Sequence, residues 1–218
     1  MNYQHSVSIA LTTYNGEKYI KEQLDSILNQ TYPITEIIIV DDCSTDSTYS
    51  ILETYKNNYP SLFKIFKNNY NIGYIKNFEK ALSLCTSEYI ALSDQDDVWL
   101  PNKIEILIEN IGHNYSIHSD AVLIDKIGNH ISNSFSKYSK KELYNIDFVR
   151  LCIRNNVTGC TSLINKELLK YAIPFPNLLS HDHYLAILAK NLDKLTYIGQ
   201  SLTLYRQHDK NTIGVNLN

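Results

Sequence analysis

Cysteine is scarce in this chain, with four in 218 residues, and Cys43, Cys85, Cys152 and Cys160 form no C-x-x-C pair. That spacing excludes an ordinary zinc cluster, and so few thiols make no disulfide framework. A reducing compartment is the expected setting. No basic region followed by an apolar run opens the chain at Met1 to Ser6, so no signal peptide is expected. No stretch approaches the roughly 20 apolar residues of a membrane-spanning helix. A strong charge of one sign is also missing, since 20 Lys and Arg stand against 23 Asp and Glu. A nucleic-acid surface needs a basic excess, so nucleic acid is not an expected partner. Neither G-x-G-x-x-G after the first apolar run nor G-x-x-x-x-G-K-[ST] anywhere is found, so a nucleotide would be held without a glycine-rich loop. A cytoplasmic protein fits these absences, with peripheral contact at the inner face of the cell membrane still compatible.

What is present is an alternating pattern. Val7 to Thr12 reads as a strand, and Glu17 to Asn29 as a helix with Ile20, Leu24, Ile27 and Leu28 on one face. Glu36 to Val40 is a nearly all-apolar run, as in a strand buried on both faces. A helix over Asp46 to Tyr55, a strand over Leu62 to Phe66 and a helix over Gly73 to Leu84 follow. A strand over Glu88 to Ser93 and a helix opened by Pro101 complete the run. Such alternation predicts an α/β fold, a Rossmann-like, mostly parallel sheet flanked by helices. The second half is less regular. It predicts a smaller mixed region with strands near Ala121 to Asp125, Gly159 to Ile164 and Leu195 to Tyr205, and a helix over His181 to Asn191. Residues 129–145 are polar and read as a loop or lid. One domain over 1–218 is expected, with 1–110 binding nucleotide and 111–218 the acceptor side.

Sheets of this kind bind ligands beyond the carboxyl ends of their strands. Polar clusters fall at those ends: Thr12-Thr13-Tyr14-Asn15, Asp41-Asp42 and Asp94-Gln95-Asp96-Asp97. The last supplies hard oxygen ligands suited to Mg²⁺ or Mn²⁺, through which a diphosphate could be held. An acidic cluster after a strand is also what a solvated turn or helix cap looks like.

Ala10-Leu-Thr-Thr-Tyr-Asn-Gly16, Val40-Asp-Asp-Cys-Ser-Thr-Asp-Ser-Thr48, Asn71-Ile-Gly73, Asp94-Gln-Asp-Asp-Val-Trp99, Gly159-Cys160, His181-Asp182 and Tyr205-Arg-Gln-His208 occur in one order. This ordered set resembles the family-two glycosyltransferases of the GT-A fold, and is most similar to bacterial rhamnosyltransferase-like members that build surface polysaccharides. The resemblance implies a nucleotide-sugar donor, dTDP-rhamnose or a UDP-hexose, and a glycan or lipid-linked glycan acceptor. It implies Mn²⁺ or Mg²⁺ on Asp96, with His208 reaching back to complete the site. Asp94 would lie near the ribose or donor sugar, and Asp97 would assist. Asp41 would accept the N3–H of a pyrimidine base, with Thr12, Tyr14 and Asn71 completing the base and ribose pocket. Capping of the next helix is the alternative for Asp41. Lys76, where many relatives carry arginine, and Arg206 would meet the diphosphate. Asp182 would be the catalytic base, a role for which it must reach an acceptor hydroxyl. His181 and His183 would orient it, and Trp99 would pack beside the metal loop.

Two rival readings stand beside this one. Asp94-Gln-Asp-Asp-Val98 formally matches the D-x-D-x-[TV] motif of haloacid-dehalogenase-type phosphatases, whose first aspartate is a nucleophile. A non-catalytic nucleotide-sugar or glycan-binding module would use the same cleft without turnover.

Overall fold

In the computed structural model, residues 4–141, 143–144, 146–209 and 211 are described. The first half alternates as its apolar pattern dictates: β1 (Val7–Thr13), α1 (Ile20–Leu28), β2 (Glu36–Asp41), α2 (Thr48–Asn58), β3 (Phe63–Lys67), α3 (Tyr74–Leu84) and β4 (Tyr89–Ser93). Every residue of β1, β2 and β4 is buried, as continuous apolar runs require when helices cover both sheet faces. The two helical layers form separate apolar clusters. Leu24 and Ile27 of α1 meet Ile9, Leu11, Ile37 and Ile39 on one face. Phe78 and Leu82 of α3 meet Ala10, Ile38, Val40 and Leu92 on the other. Each such fully buried aliphatic or aromatic side chain contributes about 1.5–3 kcal/mol relative to exposure.

The chain continues through β5 (Val98–Trp99), α4 (Lys103–Ile111), β6 (Ser116–Ile124), β7 (His130–Ser132), α5 (Phe135–Tyr138), α6 (Phe148–Ile153), β8 (Ser162–Asn165), α7 (Leu169–Ala172), α8 (His181–Asn191) and β9 (Leu195–Arg206). All strands join one sheet in the order β3-β2-β1-β4-β8-β6-β9-β5, with β7 pairing on β6. β1 to β4 are parallel, β8 runs antiparallel between β4 and β6, and β9 lies parallel to β6. This is the α/β architecture expected, a mostly parallel half joined to a smaller mixed half.

The second half departs from the pattern in three places. The strand expected from Ala121 begins at Ser116, because its polar residues pair with β8 and β9. Within 129–145, part of which lies outside the described residues, β7 and α5 take up the polar stretch; Ser134 caps α5 by accepting from Lys137 N–H. Gly159 to Thr161 form a 3-10 turn rather than the start of a strand. Among the described residues, no helix is long and apolar enough to cross a membrane.

Candidate functional site

The carboxyl ends of β1, β2 and β4 open into a cavity of about 740 Å³. Thr12, Thr13 and Tyr14 line it from the end of β1, Asp42 from just past β2, Asn71 and Gly73 from the turn before α3, and Asp94, Gln95 and Asp96 from the loop after β4. The second half closes it with Phe135, Arg154, Asn155, Gly159, Asp182 and Tyr205 among others.

Backbone amides and short polar side chains shape the rim formed by the loops after β1, β2 and β4. Gln95 accepts from Tyr14 N–H (2.9 Å) and donates to Tyr14 C=O (3.0 Å), tying the loops after β1 and β4 together. Gly16 makes room for this amide, since a Cβ there would stand 2.2 Å from Gln95 Oε1. Asp42 accepts from Asn68 Nδ2 (2.8 Å), Ile72 N–H (2.9 Å) and Gly73 N–H (3.0 Å), fixing the turn that carries Asn71. Gly73 itself has φ +83°, a conformation that favours glycine.

The expected base contact at Asp41 is corrected by this geometry. Asp41 is fully buried and does not line the cavity. It accepts from Thr13 Oγ1 (2.9 Å), Ser44 N–H (2.9 Å) and Ser44 Oγ (2.5 Å), so it holds the turn ahead of α2 instead. Its neighbour Asp42 is the aspartate on the cavity wall.

Lys76 and Arg206 are also drawn away from the cavity. Lys76 Nζ lies 2.7 Å from Glu79 Oε2 and donates to Phe175 C=O (2.8 Å). Arg206, 2% exposed, pairs through Nη2 with Glu22 (2.5 Å), donates from Nε to Asp96 C=O (2.9 Å) and lies over the Tyr19 ring. Its backbone N–H donates to Asp97 Oδ1 (3.1 Å). Arg206 thus latches the acidic loop from behind.

Three carboxylates crowd that loop. Burial, and then the charges of Asp97 and Asp96, push Asp94 well above the usual carboxylate range. Burial and Asp96 push Asp97 up to about 7. Asp96 Oδ2 lies 2.8 Å from His208 Nε2, and the His208 ring stacks on Tyr19. Asp94, Asp97 and Cys160 bring two carboxylate oxygens and the sulfur within 4.8 Å of one another. Burial holds the Cys160 thiol well above its ordinary value, so it stays neutral, and a soft protonated sulfur suits a hard divalent cation poorly. Of the harder ligands expected to hold such a cation, Asp94 and Asp96 line the cavity and His208 lies against Asp96, but among the described residues these three do not converge as closely as Asp94, Asp97 and Cys160 do. A cation there would relieve the repulsion that raises Asp94.

Beneath the loop lies Lys103, fully buried. Its Nζ donates to Cys160 C=O and to Thr203 Oγ1 (3.0 Å), and sits 3.7 Å above the Trp99 ring. Burial pushes it down to about 7. Trp99 therefore packs in the core under the acidic loop, as expected.

Asp182 stands in the first turn of α8, where a carboxylate meets the positive end of the helix dipole. Oδ2 accepts from Asn155 Nδ2 (3.2 Å) and Gly159 N–H (3.1 Å), and Oδ1 accepts from His183 N–H (2.8 Å). Burial opposes ionisation, but the neighbouring His181 and these hydrogen bonds outweigh it and hold Asp182 below the usual carboxylate range. The His181 ring stacks on Phe78 with centroids 3.7 Å apart. Gly159 has no Cβ to spare: one would stand 2.8 Å from His181 Nε2. The sequence offers Asp42 only as a cap of the next helix and gives Gln95 and Asn155 no role: Gln95 lies inside the Asp94–Trp99 motif, and Asn155 carries no local signal.

The family model of glycosyl transferase family 2 matches residues 8–172. The chain is 33% identical to the dTDP-rhamnosyl transferase RfbG of Shigella flexneri over 220 residues, covering 95% of this chain and 74% of that one. Among solved structures, it is similar to S. aureus TarS 1-349 in complex with UDP-GlcNAc, with a TM-score of 0.74 and 23% identity over 94% of this chain and 60% of that chain. The complex of the same TarS fragment with UDP gives a TM-score of 0.70 and 25% identity over 93% and 60%. The chain thus spans less than two thirds of those solved chains.

Proposed function

Because the chain belongs to glycosyl transferase family 2 and has the GT-A fold, we propose that it is a metal-dependent, inverting glycosyltransferase that moves a sugar from a nucleoside-diphosphate donor to an acceptor hydroxyl. The observation that carries this reading is the meeting of Asp94, Asp96 and Asp182 around one cavity, from loops 86 or more residues apart along the chain. dTDP-rhamnose and UDP-hexoses are the donors to test first. The names of the Shigella relative and of the TarS–UDP complex support both. A glycan or lipid-linked glycan of a surface polysaccharide is the proposed acceptor, and a peripheral membrane contact is compatible with it.

Thr12, Tyr14 and Asn71 hold the base and ribose in this reading, with Asp42 taking the position expected of Asp41. Asp94 and Asp96, with His208, would hold Mn²⁺ or Mg²⁺, which when bound supplies positive charge to the departing diphosphate. Asp182, kept ionised by Asn155, Gly159 and His183, takes the proton of the acceptor hydroxyl. The acceptor oxygen forms its bond to the anomeric carbon as the bond from that carbon to the diphosphate oxygen breaks on the opposite face. The nucleoside diphosphate leaves with the electron pair, and one displacement inverts the anomeric configuration.

Asp182→Asn is expected to bind donor nearly as wild type and to lose transfer by a factor on the order of 10² to 10⁴. Transfer assays with dTDP-rhamnose and UDP-glucose, paired with calorimetry, check this; retained turnover removes the base assignment. Asp96→Ala is expected to abolish the metal-dependent part of donor binding.

A further inference from the structure

With Lys76 and Arg206 engaged elsewhere, the phosphoryl oxygens of a donor still need cationic partners beyond the acidic loop. Among the described residues lining the cavity, the lysine and arginine side chains are Lys141 and Arg154 alone. Both come from the stretch between β7 and β8, of which the sequence marks 129–145 as a polar loop or lid and gives 146–158 no element. Lys141 is half-buried. Its backbone N–H donates to Ser136 C=O (2.8 Å), and its ammonium lies 4.9 Å from the centre of the Phe135 ring. Among the described residues, no carboxylate lies within ion-pair distance of it. Arg154 follows the last residue of α6, lines the cavity and donates from Nη2 to Ser139 C=O (3.2 Å), one of the five N–H groups of its planar fork. The two cations and Asp182 sense one another. Burial pushes the Lys141 ammonium down, Asp182 pulls it back up and Arg154 pushes it down again. Two like charges held near each other, with no carboxylate in ion-pair distance of either among the described residues, form an anion receptor.

We propose that Lys141 and Arg154 form a phosphoryl clamp on the cavity wall built by the β7–β8 stretch, taking over the anion contact that Lys76 and Arg206 do not make. The proposal rests on the donor reading above. The phosphoryl group belongs to the donor diphosphate or to a phosphate on the acceptor; both present the same oxygens to the same two cations. With acids gathering a cation on one side and these cations facing the remaining oxygens, a diphosphate would be gripped from both sides.

The test is calorimetry of the full chain with Mn²⁺, comparing wild type with Lys141→Gln and Arg154→Gln. Three probes are titrated: UDP, uridine, and geranyl diphosphate added to UDP-saturated protein. A clamp on the donor weakens UDP about tenfold in each variant and leaves uridine unchanged. A clamp on the acceptor leaves UDP unchanged and weakens geranyl diphosphate by a similar factor. Variants that bind all three probes as wild type does overturn the clamp while leaving the donor reading intact. Equal loss of UDP and uridine also overturns it, since the contact would then lie with the nucleoside. A wild-type chain that binds no UDP, and no dTDP when that is titrated in its place, overturns the donor reading and the clamp together. Arg154 is exposed, so its variant tests the clamp even if Lys141→Gln perturbs packing.

Discussion

Individual atoms decide much of this site. Gly159 gives its N–H to Asp182 and leaves no space for a methyl group beside His181. Gly159→Ala should therefore fold yet shift Asp182, lowering kcat on the order of a hundredfold with little change in donor affinity. Steady-state kinetics beside calorimetry separates the two, and an unchanged kcat would show that the contact can relax. Lys103 gives a pH signature. Its pKa is about 7 in the folded chain against an ordinary 10.5. Between those values the unfolded chain carries a proton that the folded chain has released, so folding stability rises with pH across that window. Below about pH 7 both states hold the proton and the full penalty of burying the charge is felt. Lys103→Met should flatten this rise, leaving a variant as stable as wild type or more so near pH 6 and less favoured near pH 9.5. Urea denaturation followed by fluorescence of Trp99, whose ring lies under Lys103, measures both.

Elements explain why the sequence was legible in one half and not in the other. β1 to β4 and α1 to α3 follow from apolar runs, hydrophobic period and helix-start signals, because β1, β2 and β4 are buried on two faces, the edge strand β3 keeps an apolar run, and each helix buries one face. Their carboxyl ends carry the acids, so Asp94 and Asp96 were found by position. Asp41 ends β2 and turns into the loop ahead of α2, while Asp42, just past the strand, faces the cavity, and the sequence cannot tell the two apart. Period says which runs are strands without saying which residue escapes the last turn. α6 went unseen: it is six residues long, buries Leu151 and exposes Val149 and Ile153, too short for a period to register. Lys141 and Arg154 therefore had no frame that could place them. β9 is the opposite case, a strand read correctly whose final residue was given a ligand role while serving as a brace. Arg206→Met removes three side-chain contacts from the acidic loop and α1. It should lower stability by roughly 1–3 kcal/mol and also weaken Mn²⁺-dependent UDP binding. Loss of stability with unaltered binding would mean that the loop keeps its shape without the latch.

At the scale of the molecule, the cavity lies where two kinds of sheet meet. The parallel strands bring the loop of Asp94 and Asp96, and the half built on β8, β6 and β9, joined through β4, brings Asp182 on α8 and the basic wall. Lys103 spans both, since its helix follows the acidic loop and its ammonium reaches Cys160 and Thr203. Chains of more than about 150 residues often unfold through intermediates. A shared sheet and this buried tie argue against two separable halves here, and we expect one cooperative unit over the chain. Trp99, the single tryptophan, sits on β5 at the far edge of the sheet, whereas far-UV circular dichroism samples every helix. Their urea transitions should coincide. Saturating UDP with Mn²⁺, at about 100 times its dissociation constant, should shift both by the same amount, near 2.7 kcal/mol. If the Trp99 transition came earlier and ignored the nucleotide, the β5–β9 edge and the apolar layer around Trp99 would be melting apart from the rest of the sheet. The loop carrying Asp94 and Asp96 would then sit on a separately melting piece rather than on one rigid frame.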